Sequence, residues 1–147
     1  MTTKEKPDGF EQSIPVSGVI IRVGDEILLL KRAPYKKYGA NQWALVAGKS
    51  DVGESLVETA QRELFEELGI EVEAGDLKMV QTYYHSPNSD PQYKIIWNVF
   101  SLSFEEKPDI ILNKEHTEYA WAHKNKVMSY DLIDGESYCL NDYFLDH

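Results

Sequence analysis

The segment from Gly48 to Ile70 constrains this chain more than any other. Within it Glu63, Glu66 and Glu67 stand at i, i+3 and i+4. A helix turns roughly 100° per residue, so the three carboxylates share one arc of about 100°. Leu56, Val57, Ala60, Leu64 and Leu68 form an apolar stripe beside them at helical spacing. Ser55 followed by Glu58 is a capping-box pattern, and Gly69 supplies the stop. The segment therefore reads as a helix that packs on a sheet and presents acids at its edge. Three carboxylates on one face repel each other, and a cation relieves the cost. Hard oxygen donors in this number suit Mg²⁺ or Mn²⁺ better than Zn²⁺.

The rest of the chain mixes strands and helices. Ser13–Val23 and Glu26–Arg32 read as strands around a Gly24-Asp25 turn. Pro34–Asn41 is loop-like, and Trp43–Ala47 is a short strand ending at Gly48. Leu77–His85 and Tyr93–Phe104 are strands separated by a loop at Ser86–Pro91. Glu118–Ala122 is a further short strand. Helical pieces are expected near Lys124–Ile133 and Glu136–Leu145. Residues 1–12 read as a flexible lead-in and 13–147 as one domain of α/β (α+β) class.

The spacing from Gly48 onward fills a longer pattern. It runs Gly, five residues, Glu, seven residues, Arg-Glu, an apolar residue, any residue, Glu-Glu, any residue, Gly, an apolar residue. Gly48, Glu54, Arg62, Glu63, Leu64, Glu66, Glu67, Gly69 and Ile70 fill every defined position. A chance match is on the order of 10⁻⁷. The segment resembles the Nudix box of MutT-like hydrolases. That resemblance implies the Nudix fold, a mixed β-sheet sandwiched between helices. It implies metal ligation by the Gly48 carbonyl, Glu63, Glu66 and Glu67, with Glu63 also a candidate to activate water. Arg62 would pair with Glu54 and tie the loop to the helix. Mg²⁺ or Mn²⁺ would be the cofactor. The reaction implied is in-line attack of water on a phosphoanhydride of a nucleoside di- or triphosphate-type substrate. Many members carry Pro before the box glycine; here Val46-Ala47-Gly48 lacks it.

Outside the box, Glu115-His116-Thr117-Glu118-Tyr119-Ala120-Trp121 resembles a segment that brings a further acid to the metals. Glu115 is the first choice for that ligand or general base, and Glu118 the second. His116 is expected at the surface. Arg32 and Lys94 are candidate phosphate-binding residues at strand positions. Tyr83, Tyr84, Tyr93, Trp97 and Trp121 could stack on a base, though core packing is the better reading for any one. His85-Ser86-Pro87 resembles ADP-ribose hydrolases and Tyr83-Tyr84 dinucleoside polyphosphate hydrolases, and the two cues conflict. A non-catalytic nucleotide-sensing module on the same fold is the competing class, but such modules usually lack a box carboxylate and this chain lacks none.

Charge bounds the partners. Asp and Glu number 25 against 15 Lys and Arg, for a formal net charge of -10. That argues against a nucleic-acid polymer as partner. A small phosphorylated substrate remains compatible when cations stand between it and the acids. Cys139 is alone, so no intrachain disulfide forms. No run suits a signal peptide or a bilayer span, and a cytoplasmic protein without membrane contact is the expectation. Similar enzymes commonly form homodimers, and no stretch here marks an interface.

Overall fold

The computed structural model describes residues 1–147. Its strands are β1 (Thr2–Thr3), β2 (Ile14–Val23), β3 (Glu26–Arg32), β4 (Trp43–Ala44), β5 (Val46–Lys49), β6 (Lys78–His85), β7 (Ile95–Ser103) and β8 (His116–His123). Its helices are α1 (Leu56–Leu68) and α2 (Glu136–Asp146). The order along the mixed sheet is β1-β6-β7-β2-β3-β4, with β5 added on β2 and β8 on β3. β2 and β7 run parallel and the other pairs antiparallel.

Strand parity divides the core in two. Val19, Ile21, Leu28, Leu30 and Val46 face α1 and meet Ala60, Leu64 and Leu68. Ile20, Ile27, Leu29 and Leu45 face the other way and meet Cys139, Leu140 and Tyr143 of α2. The sheet is thus covered by a helix on each face, as the resemblance implied. α1 forms where expected. Ser55 and Glu58 make the reciprocal capping box, and Gly69 ends the helix at φ 71°.

Three details depart from the sequence reading. The segment expected as one strand at Trp43–Ala47 splits between partners. Trp43–Ala44 pairs with β3 while Val46–Lys49 pairs with β2. Leu45 stands at the switch. Second, no α-helix forms at Lys124–Ile133. A single 3₁₀ turn at Val127–Ser129 leads into an extended piece. The reason is the open edge of β4: Trp43 N–H donates to Asp131 O, and Ile133 N–H donates to Trp43 O. Pairing at that edge outweighs a weak local helix preference. Third, residues 1–12 carry structure that composition did not signal. Thr2 and Thr3 pair with His85 and Tyr84, and Phe10 is buried. No helix is long and apolar enough to cross a membrane.

Candidate active site

β5 carries the site on both of its faces. Val46 and Gly48 point toward α1; Leu45, Ala47 and Lys49 have the opposite parity. A Cβ at Gly48 would overlap the Glu63 carboxyl group outright. Gly48 is therefore a residue whose missing side chain makes room for the first box acid of α1.

Arg62 braces this arrangement. Its Nε and Nη2 donate to the two carboxylate oxygens of Glu54, at 2.8 and 3.0 Å. Nη2 also donates to Lys49 O at 2.9 Å, which ties β5 to α1. Nη1 donates to Glu63 at 2.8 Å and to Glu66 at 3.2 Å. Glu54 accepts further hydrogen bonds from Asp51 N–H and the Thr59 hydroxyl. The Arg62 guanidinium first, then these two donors, hold its pKa down at about 2. Glu54 is a satisfied anion.

Glu67 is not satisfied. Glu63 and Glu67 are both buried, and they are neighbours one helical turn apart. Burial, and then the Glu63 carboxyl beside it, push the Glu67 pKa well up. Oε2 of Glu67 has no hydrogen-bond partner. His116 Nδ1 lies 3.4 Å from Glu67 Oε1 and is itself unpartnered. Burial, helped by the Arg32 charge, lowers the His116 pKa to about 4, so this ring is neutral. It is a buried histidine, not the surface one expected. Glu66 is more exposed and turns to Arg62. The box acids do not form a ready cage, as no three acids or histidines converge closely enough to hold an ion. Even so, a buried carboxyl oxygen without a partner, next to a second buried carboxyl, suits a hard divalent cation. Glu63 and Glu67 fit that donor chemistry, and Glu66 would join them by leaving Arg62.

The other candidates separate. Glu115 accepts from Lys36 Nζ at 2.6 Å and from Asn113 at 3.2 Å, and its charge is felt at Glu67. The Lys36 bond lowers its pKa. Glu118 is an exposed residue of β8 and pairs with Lys31 of β3. Arg32 lines the cleft described below, with Nε donating to Tyr38 O at 2.9 Å. Lys94 does not line it. Its ammonium sits 5.8 Å from the Phe10 ring centroid, over the N-terminal segment. The structure brings Lys49 to the cleft in its place. Of the aromatics, Tyr93 and Trp97 line the cleft. Tyr83 is core and donates to Asp142, Tyr84 packs edge-on to Phe10, and Trp121 packs on the α1 side.

The cleft, about 180 Å³, lies on the α2 side of β5. Val16, Ile95, Trp97 and Ile133 give it apolar walls, and His85 and Glu136 add polar groups. An adjoining opening shares Arg32, Tyr38, Lys49 and Tyr93 with it and forms its mouth, where Lys36 and Lys37 add cations against Asp90, with Lys36 already paired to Glu115. In a chain of net charge -10 this is a local reversal of sign. Sequence reasoning missed Lys36, Tyr38, Lys49 and Glu136. Lys49 was findable by parity, since it follows the box glycine on a strand. Glu136 carried only a helix-start signal.

A family model described as "NUDIX domain" matches residues 13–141. The nucleoside triphosphatase NudI of Salmonella newport is 30% identical over 113 residues, covering 71% of this chain and 78% of that relative. The MutT protein of Methanosarcina mazei superposes with a TM-score of 0.73 at 29% identity, covering 91% of this chain and 94% of the other. The NUDIX domain of Shewanella oneidensis NrtR, solved with ADP ribose, gives a TM-score of 0.76 at 15% identity, covering 97% and 93%. The last shares the fold alone.

Proposed function

Because this chain belongs to the Nudix family, we propose that it is a pyrophosphohydrolase of nucleoside triphosphates that depends on Mg²⁺ or Mn²⁺. One observation carries the reading. The buried Glu63–Glu67 pair beside Gly48 adjoins, across β5, a cleft whose mouth is cationic. Glu63, Glu66, Glu67 and the Gly48 carbonyl would hold the metal. A bound Mg²⁺ or Mn²⁺ supplies a water of lowered pKa and offsets charge on the phosphate oxygens.

The chain's own residues do the rest. Arg62 holds Glu63 against β5 through Glu54 and Lys49 O, so the acid keeps its place. Glu63 is the candidate to take the proton of the attacking water. Glu115 is held ionised by Lys36, and a weak base of that kind is poorly matched to neutral pH. It serves better as an additional ligand or as the anchor of Lys36. Arg32, Lys36, Lys37 and Lys49 receive the polyphosphate at the mouth. A polyphosphate chain suits four cations, and the likeness to a nucleoside triphosphatase agrees with it.

The test is a hydrolysis screen over nucleoside triphosphates, ADP-ribose, nucleotide sugars and dinucleoside polyphosphates, with each metal and with product identification. Turnover of triphosphates that stops on chelation is expected. Preference for ADP-ribose would reassign the substrate, and no turnover anywhere would leave a nucleotide-sensing module on this fold.

A further inference from the structure

Glu67 Oε2 and His116 Nδ1 are buried without hydrogen-bond partners, although their residues touch: Nδ1 lies 3.4 Å from Glu67 Oε1. Glu67 is 3% exposed and His116 5%, so bulk water is kept from both. Unpartnered buried polar atoms are rare in folded proteins and costly. Glu67 is a metal ligand in the function proposed above, whereas His116 has no task there.

The histidine meets the box because β8 is irregular. By simple alternation His116 shares the parity of Ala122, which packs toward α2. It touches Glu67 of α1 instead. The pairing of β8 with β3 slips by one residue at this point: Lys31 stands across from Glu118, and Arg32 from His116. Thr117 is the extra residue, and one extra residue reverses the face of what lies beyond it. Bulges beside active sites commonly re-aim a side chain, and this one brings a ring against a box carboxyl.

We infer that His116 is a positioning residue: its Nδ1–H donates to Glu67 Oε1 when Glu67 holds the metal, and this leaves Oε2 for the cation. The inference rests on the metal reading above and names what orients one of its ligands. An N–H···O bond spans roughly 2.7–3.2 Å, so a small rotation of ring or carboxyl closes the present gap. A carboxylate has two equivalent oxygens and can present either. A donor on one of them removes that choice, as groups behind metal ligands commonly do. Only a ring with its proton on Nδ1 can serve, with Nε2 left as the acceptor in the neutral form. Hard divalent cations prefer carboxylate oxygen to imidazole nitrogen, so the ring supports the ligand and does not replace it. Arg62 has the corresponding task at Glu63, where Nη1 donates at 2.8 Å. Each buried acid of the box thus has its own backing group.

The experiment reads metal and proton rather than turnover alone. Mn²⁺ binding to the nucleotide-free full chain is measured by electron paramagnetic resonance. His116→Leu should raise the Mn²⁺ Kd about 10–100-fold, the usual effect of losing a group behind a ligand. His116→Asn, whose amide can donate near the place of Nδ1, should recover most of that loss. KM for a nucleoside triphosphate at saturating metal should stay within about twofold, because the ring acts through the metal site. Nitrogen NMR of the parent needs no substitution, and it should show the His116 proton on Nδ1 once Mg²⁺ is added. Nδ1 without a proton in that form would overturn the inference, whether the proton stands on Nε2 or the nitrogen meets the cation. So would an unchanged Mn²⁺ Kd in His116→Leu while the parent binds normally. A parent that binds neither metal would overturn the metal reading itself, and this inference with it.

Discussion

The two faces of β5 bury acids under opposite conditions. On the α1 face acids crowd. Glu54, Glu63 and Glu66 share one arginine, Arg62, which saturates Glu54 and does not reach Glu67, one of whose oxygens stays bare. On the α2 face Glu136 is the one buried acid, with a single backbone N–H donating to it and no carboxyl buried beside it. Crowded carboxylates suffer from each other, and a cation relieves them. An isolated carboxyl suffers from the loss of water, and a proton relieves it. The same residue type is thus prepared for metal chemistry on one face and for neutral hydrogen bonding on the other, a few ångströms of strand apart.

Glu67→Gln is the most forceful way to break that contrast, since it leaves the shape and removes the charge. Turnover should fall on the order of 10³-fold, beyond the ~10–100-fold typical of groups that merely support a ligand. The melting temperature of the metal-free protein should hold or rise, because the amide sets no second ionisable carboxyl beside Glu63. Activity near the parent's would remove Glu67 from the metal set. Gly48→Ala comes next. The added methyl overlaps the Glu63 carboxyl, so helix or strand must shift. A misplacement of about 1 Å in a catalytic group costs about 10²-fold, and overpacking should lower stability by about 1–3 kcal/mol. A crystal structure of the variant with Glu63 undisturbed would refute this reading of the glycine.

How far each face was legible follows from how its residues are gathered. The α1 face comes from one short segment, so its spacing survives in the sequence: the capping box, the stripe, the acids and Gly69 could all be read directly. The α2 face is assembled from Arg32, Tyr38, Lys49, His85, Tyr93 and Glu136, contributed by distant stretches. No period links them. Lys94 is a strand-position candidate that parity alone cannot place, because parity does not say which side the N-terminal segment covers, and Phe10 occupies Lys94. The helix expected over Lys124–Ile133 failed for a similar reason. The open edge of β4 captured Asp131 and Ile133, and that capture is what delivers Glu136 to the cleft.

The third break concerns protons. Folding raises the Glu136 pKa from 4.5 to about 8. Between those values the native state holds a proton that the unfolded state has released. Stability contributed by this group is therefore greatest below about pH 4.5 and is lost as the pH rises toward 8. The slope approaches about 1.4 kcal/mol per pH unit. Glu54, lowered to about 2, acts in the opposite sense and only at lower pH, where its stabilisation is lost as the pH falls. Denaturant unfolding of the parent and of Glu136→Gln across that interval isolates the effect, because the other titrations cancel in the difference. The two stability curves should diverge with rising pH, the parent falling faster; parallel curves would mean that Glu136 is ionised in the fold.

The smallest expected effect sharpens the border between the faces. Lys49 leaves β5 with the parity of Leu45 and Ala47, and its ammonium lies 5.5 Å from the Tyr93 ring centroid at the cleft mouth. One charge-assisted hydrogen bond to phosphate is worth about 1.5–3 kcal/mol when desolvated, and exposure at an open mouth reduces it. Lys49→Ala should therefore raise KM for a triphosphate by about tenfold or less, with the rise damped at high salt. Lys94→Ala should leave KM within about twofold, because its charge is spent over Phe10 on the far side of the N-terminal segment. The reverse ranking would move the phosphate path from β5 to the start of β7, and Arg32 would then stand apart from the polyphosphate instead of beside it.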